Sequence, residues 1–204
     1  LIEDCNLSSM DNSWYLMKKA REYKVNTRKK LNEKLDDIMK IALVIKQLHS
    51  RDMEHRDIKP ENIIINKMGK IFFIDFGIAR IIGADSLTKT DALIGPHTPG
   101  YAAPEQFNNL KREIDSRTDI FSLGVVTYEC ITGKNPFREN AANALEVLQK
   151  TETITPVNYS INGDTQKQFM ALLGSMMGKY PSRRPKTAEQ ALGWLRAAKS
   201  TFVI

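Results

Sequence analysis

Apolar residues recur at helical spacing in one long stretch near the start of the chain. Over 32–49 they follow the three- and four-residue period of an amphipathic helix, at Leu35, Ile38, Met39, Ala42, Leu43, Ile45 and Leu48. From Asp115 onward the chain is predicted to be helical, and the stretch 119–132 is apolar on more than one face, which is typical of a buried helix. Gly133 and the Asn135-Pro136 dipeptide predict where that helix ends. Shorter helices are predicted over roughly 140–150, 164–178 and 187–199.

Two short apolar runs predict strands rather than helices. They are Ile63-Ile64-Ile65 and Ile71-Phe72-Phe73-Ile74, and their length and β-branched or aromatic content favour buried strands. Residues 1–17 suggest two further strands around a polar turn. Residues 79–100 carry little periodicity, so we predict a long loop there, of a length that is often functional.

The bulk composition adds limits to this picture. A chain of 204 residues with 42% hydrophobic content can bury one sizeable core in one or two domains. The two cysteines, Cys5 and Cys130, lack metal or disulfide spacing, so we expect reduced thiols and a cytoplasmic domain, with a membrane anchor outside the chain left open. No apolar run approaches the roughly 18 residues of a membrane span. The chain opens with Leu1, so we expect a fragment or a processed product.

The net charge of +6 is concentrated in one segment. Residues 18–34 hold eight cations and two anions, at Lys18, Lys19, Arg21, Lys24, Arg28, Lys29, Lys30 and Lys34 against Glu22 and Glu33. Such a segment could attract an acidic substrate, a nucleic acid or an anionic membrane, but no aromatic residues interleave as a base-stacking platform requires. We therefore expect a solvated face and no nucleic acid.

The polar residues beside the two predicted strands form a chemically specific set. Asp57, Lys59 and Asn62 precede the first strand, and Asp75 follows the second. Phosphoryl transfer needs a carboxylate to orient a hydroxyl, a cation near the phosphoryl group and oxygen ligands for Mg²⁺. The strands would bring these groups to one place.

The order and spacing of these motifs resemble a known family. His55-Arg56-Asp57-Ile58-Lys59-Pro60-Glu61-Asn62 has the form H-R-D-x-K-x-x-N, and Asp75-Phe76-Gly77 follows it. Together they resemble the eukaryotic-like (Hanks-type) serine/threonine protein kinases. The resemblance implies a mainly α fold, a kinase C-lobe with short β-hairpins at the catalytic and metal-binding loops. Residues 1–20 would be the remnant of a largely missing N-lobe, and 21–204 the C-lobe.

The resemblance also implies roles for individual residues. Asp57 would be the catalytic base, Lys59 would neutralise charge on the phosphoryl oxygens, and Asn62 and Asp75 would bind Mg²⁺, with Mn²⁺ as a substitute. Around ATP, Met17 would be the gatekeeper, Lys19 and Ala20 would belong to the hinge, and Ile64 would lie under the adenine ring.

A regulatory segment is implied between Asp75 and Glu105. Its candidate phosphosites are Ser86, Thr88 and Thr90, of which the two threonines resemble paired activation-loop threonines of bacterial kinases. Arg56 would pair with such a phosphate. Thr98 and Tyr101 would form the wall that receives a protein substrate.

The resemblance further implies two buried structural contacts. Glu105 should pair with Arg184, and Asp119 should hold the backbone of the loop that contains His55, Arg56 and Asp57.

Other parts of a complete kinase are absent from the sequence. No G-x-G-x-x-G loop and no V-A-I-K-like segment precedes residue 17. We therefore expect a truncated kinase that is inactive alone, and strands within 1–17 that could self-associate through free edges. One alternative is a naturally truncated, non-catalytic binding module or pseudokinase. Another is a small-molecule phosphotransferase, which Lys59 and the 98–105 segment disfavour.

Overall fold

A computed structural model describes most of the second half of the chain and selected parts of the first. The described residues are 30–66, 68–76, 98–108, 110, 112–156 and 160–202, together with the backbone of 21–22. The strands predicted within 1–17 and most of the loop predicted over 79–100 lie outside them. Within the described ranges, no helix is both long and apolar enough to cross a bilayer.

The first long helix, α1, spans Leu31–His49 and matches its prediction to within one residue. Six residues form its buried face, Leu35, Ile38, Ile41, Ala42, Ile45 and Leu48, whereas Leu43 of the predicted stripe is exposed and Met39 is half-buried. A helix with one apolar face gains most of its stability by packing that face against a neighbour. Here the neighbours are the strongly apolar central helix and the last helix of the chain.

A short helix, α2, spans Pro104–Phe107, and the central helix, α3, spans Ser116–Thr132. Every residue of α3 from Thr118 to Tyr128 is buried, which explains its apolar character on all faces. Helix α3 begins where it was predicted, directly after Asp115, whose side chain caps it by accepting a hydrogen bond from Arg117 N at 2.8 Å. At the other end Gly133 adopts the left-handed conformation, with φ of 78°.

Three further helices follow α3 along the chain; the last two pack against α3, and the first packs against α2. They are α4 over Ala144–Thr153, α5 over Gln168–Met176 and α6 over Ala188–Ser200. The side chains of Asn143 and Thr187 cap α4 and α6 by accepting from Glu146 N and Gln190 N. The predicted segments were right in kind, but these caps place the start of α4 four residues later than expected.

The strands form a three-stranded antiparallel sheet in the order β1, β2, β3. They are β1 over Arg21–Glu22, β2 over Ile63–Ile65 and β3 over Ile71–Phe73. In β2 and β3, Ile63 pairs with Phe73 and Ile65 pairs with Ile71. The predicted mainly helical fold with a short hairpin is confirmed, and the hairpin presents the polar residues at its open end.

Candidate active site

The loop before β2 is fixed from behind by one buried carboxylate. Asp119, which is fully buried near the start of α3, accepts hydrogen bonds from His55 N at 2.9 Å and Arg56 N at 2.7 Å. His49, at the end of α1, donates from Nε2 to the same carboxylate at 2.8 Å. Three donors satisfy this buried charge, as a charge in an apolar interior requires. The loop therefore has a rigid backbone behind its reactive side chains.

The side chain of His55 ties the loop to the end of β3. His55 is fully buried, and its Nε2 donates to the carbonyl oxygen of Ile74 at 2.9 Å. Since a carbonyl can only accept, Nδ1 carries the lone pair, and it accepts a 3.3 Å hydrogen bond from Asp57 N. Burial lowers the pKa of His55, against the opposing charge of Asp119. The ring is neutral and structural at physiological pH.

Asp57, Lys59 and Thr98 form a closed triangle of hydrogen bonds at the front of the loop. Thr98 Oγ1 donates to Asp57 Oδ1 at 2.9 Å and accepts from Lys59 Nζ at 2.8 Å. Lys59 Nζ also lies 2.9 Å from Asp57 Oδ2. The three side chains, predicted from two separate motifs, meet at one point that solvent can reach.

Asn62 lies beside this triangle and is oriented by it. Its Nδ2 donates to the backbone oxygen of Asp57 at 2.9 Å and to Asp57 Oδ2 at 3.0 Å. Because the amide nitrogen is held in this way, Oδ1 is the atom of Asn62 that can ligate a cation. The backbone oxygen of Asn62 also accepts from Ile74 N at 3.0 Å, so the residue is joined to the end of β3.

Asp75 follows β3 and completes the oxygen donors. Its backbone adopts φ of 53° and its side chain is exposed. A non-glycine residue with positive φ is uncommon and is frequently found at functional sites. Oxygen donors from one amide and one carboxylate suit Mg²⁺, which prefers few protein ligands and completes its shell with water and phosphate oxygens.

The substrate wall predicted at Thr98 and Tyr101 is anchored to α3 and to the turn after it. Tyr101 is buried, and its hydroxyl donates to Glu129 Oε2 at 2.6 Å. Burial and the neighbouring carboxylate raise the pKa of Tyr101, so its hydroxyl keeps its proton. The guanidinium of Arg138 lies 4.6 Å from the centre of the Tyr101 ring, and its Nε donates to Pro99 O at 2.9 Å.

Glu105 and Arg184 form a buried pair behind this wall. Arg184 donates from Nη1 to Glu105 Oε1 at 2.6 Å and from Nη2 to Oε2 at 2.7 Å. Arg184 Nε also donates to Gly178 O, and its guanidinium lies 4.9 Å from the ring centre of Phe121. Such a two-pronged arrangement fixes direction as well as distance.

Several residues at the site were missed by sequence reasoning. Gln106 donates from Nε2 to the carbonyl oxygen of Arg56 at 2.7 Å, and its Oε1 accepts from Ala103 N at 3.0 Å. His49, Glu129 and Arg138 hold Asp119, Tyr101 and Pro99 through the contacts given above. These residues are polar positions in or beside helices, and no spacing pattern in the sequence distinguishes them from solvated ones.

Some residues predicted to bind ATP or to carry phosphate are not placed at this site. Met17, Lys19, Ala20, Thr88 and Thr90 all lie outside the described residues. Ile64, predicted beneath the adenine ring, is half-buried in β2, where it pairs with Glu22 of β1.

Comparison with known proteins identifies the family to which the chain is similar. A family model described as the protein kinase domain matches residues 10–194. The serine/threonine-protein kinase PknA of Corynebacterium glutamicum is 35% identical over 159 residues, which cover 78% of this chain and 32% of that protein. PknL of Mycobacterium tuberculosis is 33% identical over 136 residues, covering 67% of this chain and 33% of the relative. A probable serine/threonine-protein kinase of Clostridium acetobutylicum is 30% identical over 180 residues, covering 88% and 27%. The chain thus spans about a third or less of the length of these relatives.

Proposed function

This chain belongs to the protein kinase family, and on that premise we propose that the protein transfers the γ-phosphoryl group of ATP to serine or threonine hydroxyls of a protein substrate. The hydrogen-bonded triangle of Asp57, Lys59 and Thr98 is the observation that carries this proposal. In it a carboxylate already accepts a hydroxyl hydrogen, with an ammonium group beside both. A substrate hydroxyl needs the same carboxylate, and the phosphoryl group needs the same cation.

In this proposal each residue of the site has one task. Asp57 orients the incoming hydroxyl and accepts its proton, while Lys59 offsets the negative charge that gathers on the transferred group. Asn62 holds the Asp57 side chain through Nδ2, so that the carboxylate keeps one direction. Thr98 and Tyr101 position the substrate chain beside the triangle.

Asn62 Oδ1 and the Asp75 carboxylate are the groups proposed to hold Mg²⁺, or Mn²⁺ in its place. Their oxygen chemistry fits a cation of this kind, and the join between Asn62 O and Ile74 N keeps the two positions adjacent. When bound, the metal supplies charge neutralisation on the nucleotide phosphates.

The remaining contacts of the nucleotide and of the regulatory phosphate are also proposals. We assign the adenine contacts to the hinge at Lys19 and Ala20, with Met17 and Ile64 around the ring. We assign phosphorylation to Thr88 and Thr90, and capture of that phosphate to Arg56.

The 204 residues by themselves should transfer phosphate weakly. They contain no G-x-G-x-x-G segment, and a loop of that kind holds the phosphates in line with the acceptor. Asp57, Lys59, Asn62 and Asp75 would then act together with a glycine-rich loop that lies outside these 204 residues.

Mass spectrometry of the full-length protein, as its gene encodes it, after incubation with Mg²⁺ and ATP tests the function. We expect Asp57→Asn to lower the rate of phosphate incorporation into serine and threonine by about 10²–10⁴-fold. Asp36→Asn, the same change on the outer surface of α1, serves as the matched control and should leave the rate unchanged.

Equal rates for the protein and its Asp57→Asn variant would contradict the proposed function. A preference for small-molecule over protein acceptors would replace it with a small-molecule phosphotransferase. Robust transfer by the 204-residue chain alone would contradict only the proposal of weak activity.

A further inference from the structure

The guanidinium group of Arg56 is already engaged by a carboxylate of its own loop. Arg56 donates from Nε to Glu54 Oε2 at 3.0 Å and from Nη2 to the same oxygen at 2.8 Å. Both side chains lie at the surface, with exposed fractions of 49% for Arg56 and 24% for Glu54. Two hydrogen bonds to one oxygen make this a directed ion pair rather than a chance approach.

The fold of the loop creates this pair. His55, between the two residues, is buried with its ring 5.0 Å from that of Phe73 and 4.8 Å from that of Phe76. Arg56 then turns with φ of 64°, which brings its side chain back beside Glu54. Asp119 holds the backbone nitrogens of His55 and Arg56, so the pair forms with little further loss of backbone freedom.

The pair does not exhaust the donors of Arg56. A guanidinium has five N–H donors in a fixed plane, and Glu54 takes two of them. The remaining donors belong to a half-exposed group that a second anion can reach. That anion would bind beside the Glu54 carboxylate and would experience its like charge.

We propose that Glu54 is a resident counter-anion of Arg56, which lowers the affinity of this arginine for a phosphate monoester. The inference rests on the proposed role of Arg56 in phosphate capture and adds a device that sets its strength. Without phosphate, Glu54 keeps the guanidinium in place and partly neutralised. A phosphate must share the arginine with Glu54 or displace it.

The expected size of the effect follows from exposure. Ion pairs of this kind at a protein surface change an equilibrium by about two- to fivefold, and salt reduces the change. Removing the Glu54 charge should therefore tighten phosphate binding by about two- to fivefold at low salt, and less at high salt. Glu54 tunes the binding and does not abolish it.

The chain contains a second pair with the same spacing, which provides an internal reference. Arg117 donates to Asp115, two residues before it, from Nε at 3.0 and 2.9 Å and from Nη2 at 2.5 Å. Asp115 is also the cap of α3, and its pKa is lowered by its hydrogen bonds to Arg117, against burial that acts in the other direction. A change at Glu54 should leave the response of Arg117 unaltered.

The test is a titration of the 204-residue chain with phosphothreonine, observed through the ¹⁵N resonances of the arginine Nε groups. Arg56→Lys identifies the Arg56 signal by its loss. We compare the apparent Kd for phosphothreonine at Arg56 in the wild type, in Glu54→Gln and in Glu54→Ser. Two different replacements of Glu54 are used so that misfolding of one variant does not decide the result. Glu189→Gln is the matched control, because it also removes an exposed acid paired with a cation, here Lys46.

Two arms distinguish the source of the phosphate. In the first, phosphothreonine is added from solution. In the second, the chain carries phosphate on Thr88 and Thr90, and the shift of the Arg56 signal is compared with that of the unmodified chain. An Arg56 signal that moves only in the second arm assigns the site to the chain's own phosphate, and the shift should then be larger in Glu54→Gln.

The outcomes separate the tuning by Glu54 from the proposed phosphate role of Arg56. A Kd two- to fivefold lower in both Glu54 variants, with no change in Glu189→Gln or at Arg117, supports the inference. Equal Kd values in wild type and Glu54 variants overturn it and leave the phosphate role of Arg56 standing. An Arg56 signal that responds to phosphate in neither arm overturns both.

Discussion

The two sides of the loop over residues 54–62 differ sharply in how their charges are held. Behind the loop, Asp119, Glu105 and Arg184 are 0%, 1% and 4% exposed, and each has several hydrogen-bond partners. In front of it, the side chains of Asp57 and Lys59 are 26% and 21% exposed, and Asp75 is exposed. The buried charges behind the loop, which we call the frame, stabilise the fold. The charges in front of the loop, which we call the front, remain accessible to ligands.

Physical chemistry explains why the two sides are built differently. A buried charge without partners costs several kcal/mol, so the frame must satisfy each one completely. A charge that water still reaches contributes little to folding, even when it is paired. The front can therefore exchange its partners during a reaction at low energetic cost.

Breaking the frame at Arg184 should have the largest effect on stability. Arg184→Ala leaves Glu105 as a buried charge without its partner, and we expect a loss of about 3–5 kcal/mol in the free energy of unfolding. Urea denaturation followed by circular dichroism measures this loss. The double variant Glu105→Gln/Arg184→Met, which removes both charges, should be more stable than Arg184→Ala, and the reverse order would contradict the explanation.

Removing Asp119 should have the next largest effect. Asp119→Ala deprives three N–H donors of their acceptor, those of His55, Arg56 and the His49 ring, at an expected cost of about 3 kcal/mol. Asp119→Asn retains one acceptor oxygen and should cost less. Unchanged melting temperatures in both variants would show that the loop does not depend on this carboxylate.

Lys179 sharpens the comparison through pH, because it is a half-buried cation. Burial, aided by the charge of Arg184, lowers the pKa of Lys179 to about 8. The unfolded chain then binds more protons than the folded one between pH 8 and about 10.4, so stability should rise with pH in that window. Its Nζ donates to Thr151 O at 2.7 Å and lies 4.6 Å from the ring centre of Phe137, which offsets part of the cost.

We expect the wild type to gain about 1 kcal/mol relative to Lys179→Met between pH 8 and pH 10. Urea denaturation of both proteins at several pH values gives this difference, in which the other titrating groups cancel. A difference that stays constant over the window would mean that Lys179 titrates normally.

On the exposed side, Lys59 should show the smallest change in stability. Lys59→Met breaks contacts with Asp57 and Thr98 but should shift the free energy of unfolding by less than about 0.5 kcal/mol. The rate of phosphoryl transfer by the gene-encoded protein should fall by about 10²-fold, since a preorganised cation is lost. A large loss of stability would erase the distinction between the two sides.

The sequence predicted most of this arrangement where periodicity or motif spacing carried the information. The buried face of α1 could be predicted because burial imposes a helical period on its residues, and the run Ile63–Ile65 could be predicted from its short length and β-branched content. The start of α3 was also predicted, from Asp115 onward, but the role of Asp115 as its cap only becomes evident from the hydrogen bond that it accepts from Arg117 N.

Contacts between distant residues divide into two kinds. The contacts of Asp119 with the backbone of His55 and Arg56, and of Glu105 with Arg184, were predicted from resemblance to a family of known arrangement. The contact of Gln106 with the Arg56 carbonyl could not be predicted, because a side chain that binds a backbone oxygen 50 residues away leaves no pattern of its own. The same holds for Glu54, whose partner depends on the backbone turn at Arg56.

The ion pair between Glu105 and Arg184 also has a consequence for the kinetics of folding. It joins residues 79 positions apart, so it closes a long loop and should form after the local helices. An interaction that is absent from the transition state acts on the rate of unfolding and leaves the rate of folding nearly unchanged. The Arg184 side chain should therefore slow the unfolding of the assembled lobe without speeding its folding.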